Sequence, residues 1–92
     1  MTYVDLKYIN ILSGRLSQFK RKTNNLFNFR CPFCGDSQKN KLKARGYIYA
    51  KENKYSFKCH NCGTTSSVGN LIKHVDTNLF KEYRTESFLD TN

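Results

Sequence analysis

The four cysteines of the sequence form two matched pairs, Cys31 with Cys34 and Cys59 with Cys62. Two residues separate the members of each pair, and 24 residues separate the pairs. A turn of that length aims both sulfurs at one ion, and two such turns supply the four corners of a tetrahedron. The spacing therefore predicts one structural Zn²⁺, with no position left open for a catalytic water.

Two other chemistries also use paired cysteines. Disulfides need an oxidising compartment, but the N-terminal stretch is too charged for a signal peptide, and no run approaches the roughly 18 apolar residues of a membrane span. We therefore expect a cytoplasmic protein with reduced thiols and no membrane partner. An iron site of the rubredoxin kind also fits the phrase CPFCG, but we would expect an acidic domain there, and the formal net charge is +9.

The residues next to the cysteines indicate how the turns are built. Gly35 and Gly63 each follow the second cysteine of a pair, where we expect a positive φ and backbone N–H groups that point at sulfur. His60 lies between the second pair, and His74 lies in a predicted helix. Because four cysteines complete the ligand set, we expect His60 to contact a partner and His74 to lie on a helix surface.

The fold class that these patterns predict is a small α+β domain over residues 1–92. It is a zinc ribbon, an antiparallel sheet with two Cys-x-x-Cys knuckles, flanked by an N-terminal helix and by C-terminal helices. We expect the first helix at about 4–19, the ribbon at about 26–65 and the last helices at about 67–90. Residues 20–25 are predicted to be a basic turn or linker.

The positive charge of the chain is concentrated in the predicted ribbon. Between residues 15 and 58, only Asp36 and Glu52 oppose a set of basic residues, whereas the part from Lys73 onward is nearly balanced. If the charge served only solubility, we would expect it to be spread evenly over the chain. Its concentration in the ribbon instead favours a nucleic-acid partner. The basic residues of the ribbon region are Arg15, Lys20, Arg21, Lys22, Arg30, Lys39, Lys41, Lys43, Arg45, Lys51, Lys54 and Lys58.

One predicted strand carries both a basic residue and aromatic residues. Strand alternation places Arg45, Tyr47 and Tyr49 on one face. These rings either form the small core of the ribbon or stack on unpaired bases, and alternation alone leaves both interpretations open. Ile48 and Phe57 are expected in the core. No recognition helix for the major groove is visible, which favours single-stranded nucleic acid.

The phrases RCPFCGDS, KARGYIY and CHNCGTTSSVGNLIKHV together resemble the N-terminal zinc-binding domain of T-even-type bacteriophage DNA primases. The resemblance implies that the ribbon selects a short site on a single-stranded DNA template and delivers it to a separate catalytic domain for RNA primer synthesis. A replicative helicase is the further partner that it implies. The implied zinc ligands are the four cysteines Cys31, Cys34, Cys59 and Cys62.

The resemblance also implies which residues meet the template. His60 and Asn61, inside the second knuckle, would face bases. Other residues would hold the template backbone and bases, and the expected set of nucleic-acid contacts is Arg30, Lys43, Arg45, Tyr47, Tyr49, Lys58, His60 and Asn61.

Two features refine this family assignment. Cellular bacterial primases usually carry histidine where this sequence has Cys34, so the four-cysteine set favours the phage branch. Too few acidic residues follow the ribbon to build a carboxylate–Mg²⁺ site, so we expect no catalytic residues and no polymerisation by this chain alone. The alternatives are a zinc ribbon that binds nucleic acid in transcription or translation, and an interaction ribbon whose basic face is incidental.

Overall fold

The protein consists of one antiparallel sheet with α-helices on one of its faces. The structure, a computed structural model, describes residues 2–36, 39–52 and 54–91. Within these residues five strands follow one another in chain order across the sheet. The elements are α1 (Thr2–Leu12), β1 (Lys20–Thr23), β2 (Leu26–Phe29), β3 (Gly46–Lys51), β4 (Lys54–Cys59), β5 (Thr65–Ser67), α2 (Val68–Val75) and α3 (Thr77–Thr91).

The core lies between the sheet and the helices α1 and α2. Strand alternation points Phe27, Ile48 and Phe57 toward the helices, and all three are completely buried. They are neighbours across β2, β3 and β4, because Ile48 is the register partner of both phenylalanines. Ile9 and Leu71 enter the same core from α1 and α2. This arrangement confirms the predicted α+β class.

The helix α3 packs on α2 and α1 rather than on the sheet. Tyr83 Oη donates to Asp5 Oδ1 at 2.8 Å, and Tyr8 Oη donates to Glu86 Oε1 at 2.9 Å. Because both contacts join residues that are 78 positions apart, α1 and α3 run parallel. None of the helices in the described ranges has the length and apolar character that crossing a bilayer requires.

The first helix is shorter than the predicted 4–19. It ends at Leu12 and continues as a short 3₁₀ turn over Ser13–Arg15, after which Leu16 is extended. Leu16 is nevertheless buried. The apolar spacing therefore persists beyond the helix, because an extended segment can also deliver a side chain to the core.

The predicted linker at residues 20–25 is instead the strand β1 and its turn. Lys20 pairs with Asn28, and Arg21 pairs with Phe27. All four residues of β1 are exposed, so the strand has no apolar alternation by which it could be recognised. The sheet thus begins at residue 20 instead of about 26. Residues 37 and 38 of the predicted loop and residue 53 of the predicted hairpin turn lie outside the described residues.

Candidate metal centre and nucleic-acid interface

The four cysteines converge at one end of the sheet. All four are free thiols, and their Sγ atoms lie within 4.8 Å of one another. Cys31 Sγ is 4.0 Å from Cys62 Sγ, and Cys34 Sγ is 3.8 Å from Cys59 Sγ. Zinc–sulfur bonds of about 2.3 Å at tetrahedral corners place sulfurs about 3.8 Å apart. The donor set and its spacing therefore fit one tetrahedral metal ion.

Each pair of cysteines sits in a tight turn of the expected kind. Gly35 has φ 76° and donates to Cys31 O at 2.9 Å; Gly63 has φ 78° and donates to Cys59 O at 3.0 Å. Backbone N–H groups point at the sulfurs, for example from Asn61 to Cys59 Sγ at 3.2 Å. Such bonds stabilise thiolates and orient them toward the metal.

The electrostatics of the sulfurs differ with burial. Burial raises the pKa of the Cys31 and Cys59 thiols, which disfavours their thiolate forms without a cation. Cys62 is exposed, and the Thr64 hydroxyl, 3.1 Å from its sulfur, together with the Thr64 N–H lowers its pKa to about 6. A divalent ion would offset the cost of the buried thiolates directly.

A buried carboxylate next to the knuckle was not identified from the sequence. Asp36 Oδ2 accepts the backbone N–H of Arg45 at 2.7 Å and that of Cys31 at 3.3 Å, and Asp36 Oδ1 accepts Arg45 Nε at 3.2 Å. The side chain is completely buried. A carboxylate that follows a turn is usually solvated. The position of Asp36 within the phrase CGDS was therefore the one sequence signal for its buried role beside the knuckle.

Several predicted nucleic-acid residues have partners within the protein. Arg30 donates to the carbonyl oxygens of Gly35, Lys43 and Asn40 at 2.8, 2.8 and 3.1 Å, and it thereby holds the loop between β2 and β3. The Asn61 side chain reaches Cys34 Sγ at 3.5 Å. Arg30, Arg45 and Asn61 thus support the knuckles, while Lys43 is exposed on the loop that Arg30 holds.

The face of the sheet opposite the helices carries the remaining predicted residues. We name as the outer face the row Lys20, Asn28, Tyr47, Lys58 and Thr65, which the register aligns across all five strands, together with Tyr49 in the next row. This face is turned away from the core, so the two tyrosines are not core residues. Asn28 on this face is buried, and its side-chain amide is satisfied because it donates to Ala44 O and Gly46 O at 2.8 and 3.1 Å.

The two histidines occupy different places. His60 is exposed at the second knuckle, and its ring lies 5.2 Å from the Tyr47 ring in an edge-to-face arrangement. His74 is exposed on α2, as expected, and it also stacks on Phe33 at 4.2 Å, with its Nε2 3.0 Å from Pro32 O. Within the described residues, the group that could hold a metal ion consists of the four cysteines.

Comparison with known proteins agrees with the resemblance found in the sequence motifs. No protein-family model matches the chain. The sequence is 33% identical over 84 residues to the DNA primase of Enterobacteria phage T4, in an alignment that covers 88% of this chain and 25% of the primase. The chain therefore spans about a quarter of the length of that relative. This chain is thus similar to a phage DNA primase over nearly its whole length, and its four cysteines are arranged to bind a metal, which is consistent with a primase zinc-binding domain.

Proposed function

We propose that this chain is the template-recognition domain of a phage-type DNA primase. It binds single-stranded DNA at the priming site and presents it to a separate catalytic domain, which makes the RNA primer beside the replicative helicase in the cytoplasm of the host cell. The observation that carries the proposal is the 33% identity to T4 DNA primase across 88% of the chain.

The proposed metal is one structural Zn²⁺ held by Cys31, Cys34, Cys59 and Cys62. Four soft thiolate donors at tetrahedral spacing favour zinc. When bound, the ion contributes charge neutralisation and a cross-link between two turns that are far apart in the chain. Its coordination is complete, so it takes no part in the transfer of nucleotides.

The outer face supports the single-strand part of the proposal. Tyr47 presents a half-buried ring beside the exposed ammonium of Lys58, its register partner on β4. A base can stack on the tyrosine while the adjoining phosphate meets the lysine, and such stacking contributes about 1–3 kcal/mol per base. Stacking needs unpaired bases, so this arrangement favours a single strand over a duplex.

The remaining residues divide into contacting and positioning roles. His60 lies against the Tyr47 ring, where it can meet the edge of a stacked base. Lys43 and Tyr49 extend the surface along the loop and along β3. Arg30, Arg45 and Asn61 act through the loop and knuckles that they hold in place.

The proposal is tested by fluorescence anisotropy with labelled oligonucleotides on the zinc-loaded chain. We expect tighter binding to single-stranded than to duplex DNA, with a strong salt dependence. We also expect a preference for certain template triplets and stimulation of primer synthesis when the chain is added to a primase catalytic fragment. Equal binding of duplex and single strand, with no effect on primer synthesis, would refute it.

A further inference from the structure

A groove lies beside α2 and strand β5, at the edge of the sheet. Its volume is about 590 Å³, within the range of about 300–1,000 Å³ of sites for small ligands. We name it the α2 groove and define it by six of its lining residues, Phe33, Thr65, Ser66, Asn70, Lys73 and His74.

The chemistry of the groove fits a sugar–phosphate group. Thr65 and Ser66 carry hydroxyls, Asn70 carries an amide and Lys73 carries a positive charge. The described residues that line the groove include no carboxylate. Asp76, the acidic residue nearest to it along the chain, is bound to Arg15 Nη1 at 2.6 Å. Ammonium, amide and hydroxyl groups without an opposing acid favour an anionic, hydroxylated ligand.

The groove is continuous with the outer face. Thr65 lines the groove and is also the register partner of Lys58, so it belongs to both surfaces. Strand β5 is the edge of the sheet, and only one strand spacing of about 4.8 Å separates it from β4. A polynucleotide that leaves Lys58 can therefore pass over this edge within one nucleotide.

We propose that the α2 groove binds a sugar–phosphate unit of the same single strand, after that strand has crossed the edge of the sheet at Thr65. The inference rests on the proposed function and extends it, because it adds a second binding segment outside the expected contact residues. The footprint of the protein is then longer than the outer face alone. Short oligonucleotides fill the outer face, and only longer ones also reach the groove.

The test compares a thymidine 4-mer and a thymidine 12-mer by anisotropy on the zinc-loaded chain. Lys73→Gln removes the cation of the groove, and Lys81→Gln is the matched control, because Lys81 lines a separate groove between α1 and α3. We expect Lys73→Gln to weaken 12-mer binding several-fold and to reduce its salt slope by about 0.7, the value for one phosphate contact to a single strand. The 4-mer and the control should be unaffected.

A second variant excludes loss of folding as the cause. Asn70→Asp places a carboxylate in the groove at nearly constant shape, at the third residue of α2. An acid in the first turn is favourable for a helix, so the domain should keep its stability. We expect a larger loss of 12-mer affinity than for Lys73→Gln, again without an effect on the 4-mer.

The remaining outcomes separate this inference from the proposed function. If both groove variants bind both oligonucleotides normally while Tyr47→Ala weakens both, the groove inference is wrong and the outer face stands. Equal loss for the 4-mer and the 12-mer would also overturn it, since the groove would then belong to the primary contact. If ATP binds the wild-type chain, binds Asn70→Asp more weakly and does not displace the 12-mer, the groove holds a free nucleotide and the inference is wrong. Failure of the wild-type chain to bind either oligonucleotide would refute both proposals.

Discussion

The carboxylate of Asp36 accepts the backbone N–H of Arg45 at 2.7 Å, which joins the first knuckle to the start of β3. The same oxygen accepts the N–H of Cys31, a proposed zinc ligand. One buried side chain therefore sets the position of a metal ligand relative to the strand that carries Tyr47. The cysteine cluster and the outer face are therefore linked through one buried side chain.

Replacement of Asp36 by asparagine should destabilise this junction. The amide side chain keeps the shape but loses the charge that strengthens both backbone hydrogen bonds, and such bonds contribute about 2 kcal/mol. We expect a lower melting temperature for zinc-loaded Asp36→Asn, measured by circular dichroism. Glu82→Gln, an exposed change on α3, is the control. A melting temperature equal to that of the wild type would show that the Asp36 charge is not needed.

Removal of the metal should unfold the knuckles. Structural zinc contributes about 10–16 kcal/mol in small peptides, which matches or exceeds the whole stability of a typical domain. We expect excess chelator to abolish the cooperative melting transition and re-added Zn²⁺ to restore it. Native mass spectrometry should show one zinc per chain, and Cys31→Ser should lose it. A spectrum and a melting curve that are indifferent to chelation would contradict the structural role.

Two glycine-to-alanine substitutions should differ in their effect on the free energy of unfolding. A Cβ on Gly46 would lie 2.9 Å from Phe29 O and 3.3 Å from Cys31 Cα, both backbone atoms that cannot easily move. Gly46→Ala should therefore cost about 1–3 kcal/mol through overpacking. Gly14 has no atom within 4 Å of such a Cβ, so Gly14→Ala should be neutral or slightly stabilising. Chemical denaturation of both variants compares them, and equal effects would contradict the close packing at Gly46.

Lys58→Ala and Arg45→Ala should weaken DNA binding for different reasons. Lys58 is exposed, so its loss should lower affinity for single-stranded DNA and reduce the salt slope by about 0.7 without changing the melting temperature. Arg45→Ala removes the Nε partner of buried Asp36, so both affinity and melting temperature should fall. Lys81→Ala is the matched control on α3. Unchanged affinity in both variants would place the DNA elsewhere.

Stability should decline in alkaline solution because the pKa values of three tyrosines, the buried Tyr8 and Tyr55 and the half-buried Tyr83, are raised in the folded chain. Burial, followed by the hydrogen bond to Glu86, raises the pKa of Tyr8 to about 12, and burial with the Asp5 contact raises the pKa of Tyr83 as well. An unfolded tyrosine ionises near pH 10, so above about pH 10 the folded chain holds more protons. The free energy of unfolding must then fall as the pH rises.

Denaturant titrations between about pH 8 and 11, on either side of the ordinary tyrosine pKa, measure this decline. Tyr8→Phe removes one of the titrating groups and should flatten the fall above about pH 10. Tyr3→Phe is the control, because the side chain of Tyr3 is 64% exposed. A slope in Tyr8→Phe equal to that of the wild type would show that Tyr8 ionises alike in the folded and unfolded chains.

The sequence by itself predicted the four cysteines that the fold brings together as a group that could hold a metal ion, and it predicted the central strands between an N-terminal helix and two C-terminal helices. The ligand spacing, the glycines with positive φ and the alternation of β3 and β4 are encoded within a few neighbouring residues. Such local patterns do not depend on distant contacts, so the buried ring of Phe57 and the turns at Gly35 and Gly63 could be predicted.

The tertiary structure alone decided the roles that depend on distant partners. Strand β1 exists because Arg21 pairs with Phe27, and its own exposed residues carry no strand pattern. The burial of Asp36 and the carbonyl contacts of Arg30 need a loop to close on them. Whether Tyr47 faced core or solvent depended on which side of the sheet the helices cover. Packing between residues that are far apart in the chain sets these features, so the pattern of neighbouring residues in one sequence does not reveal them.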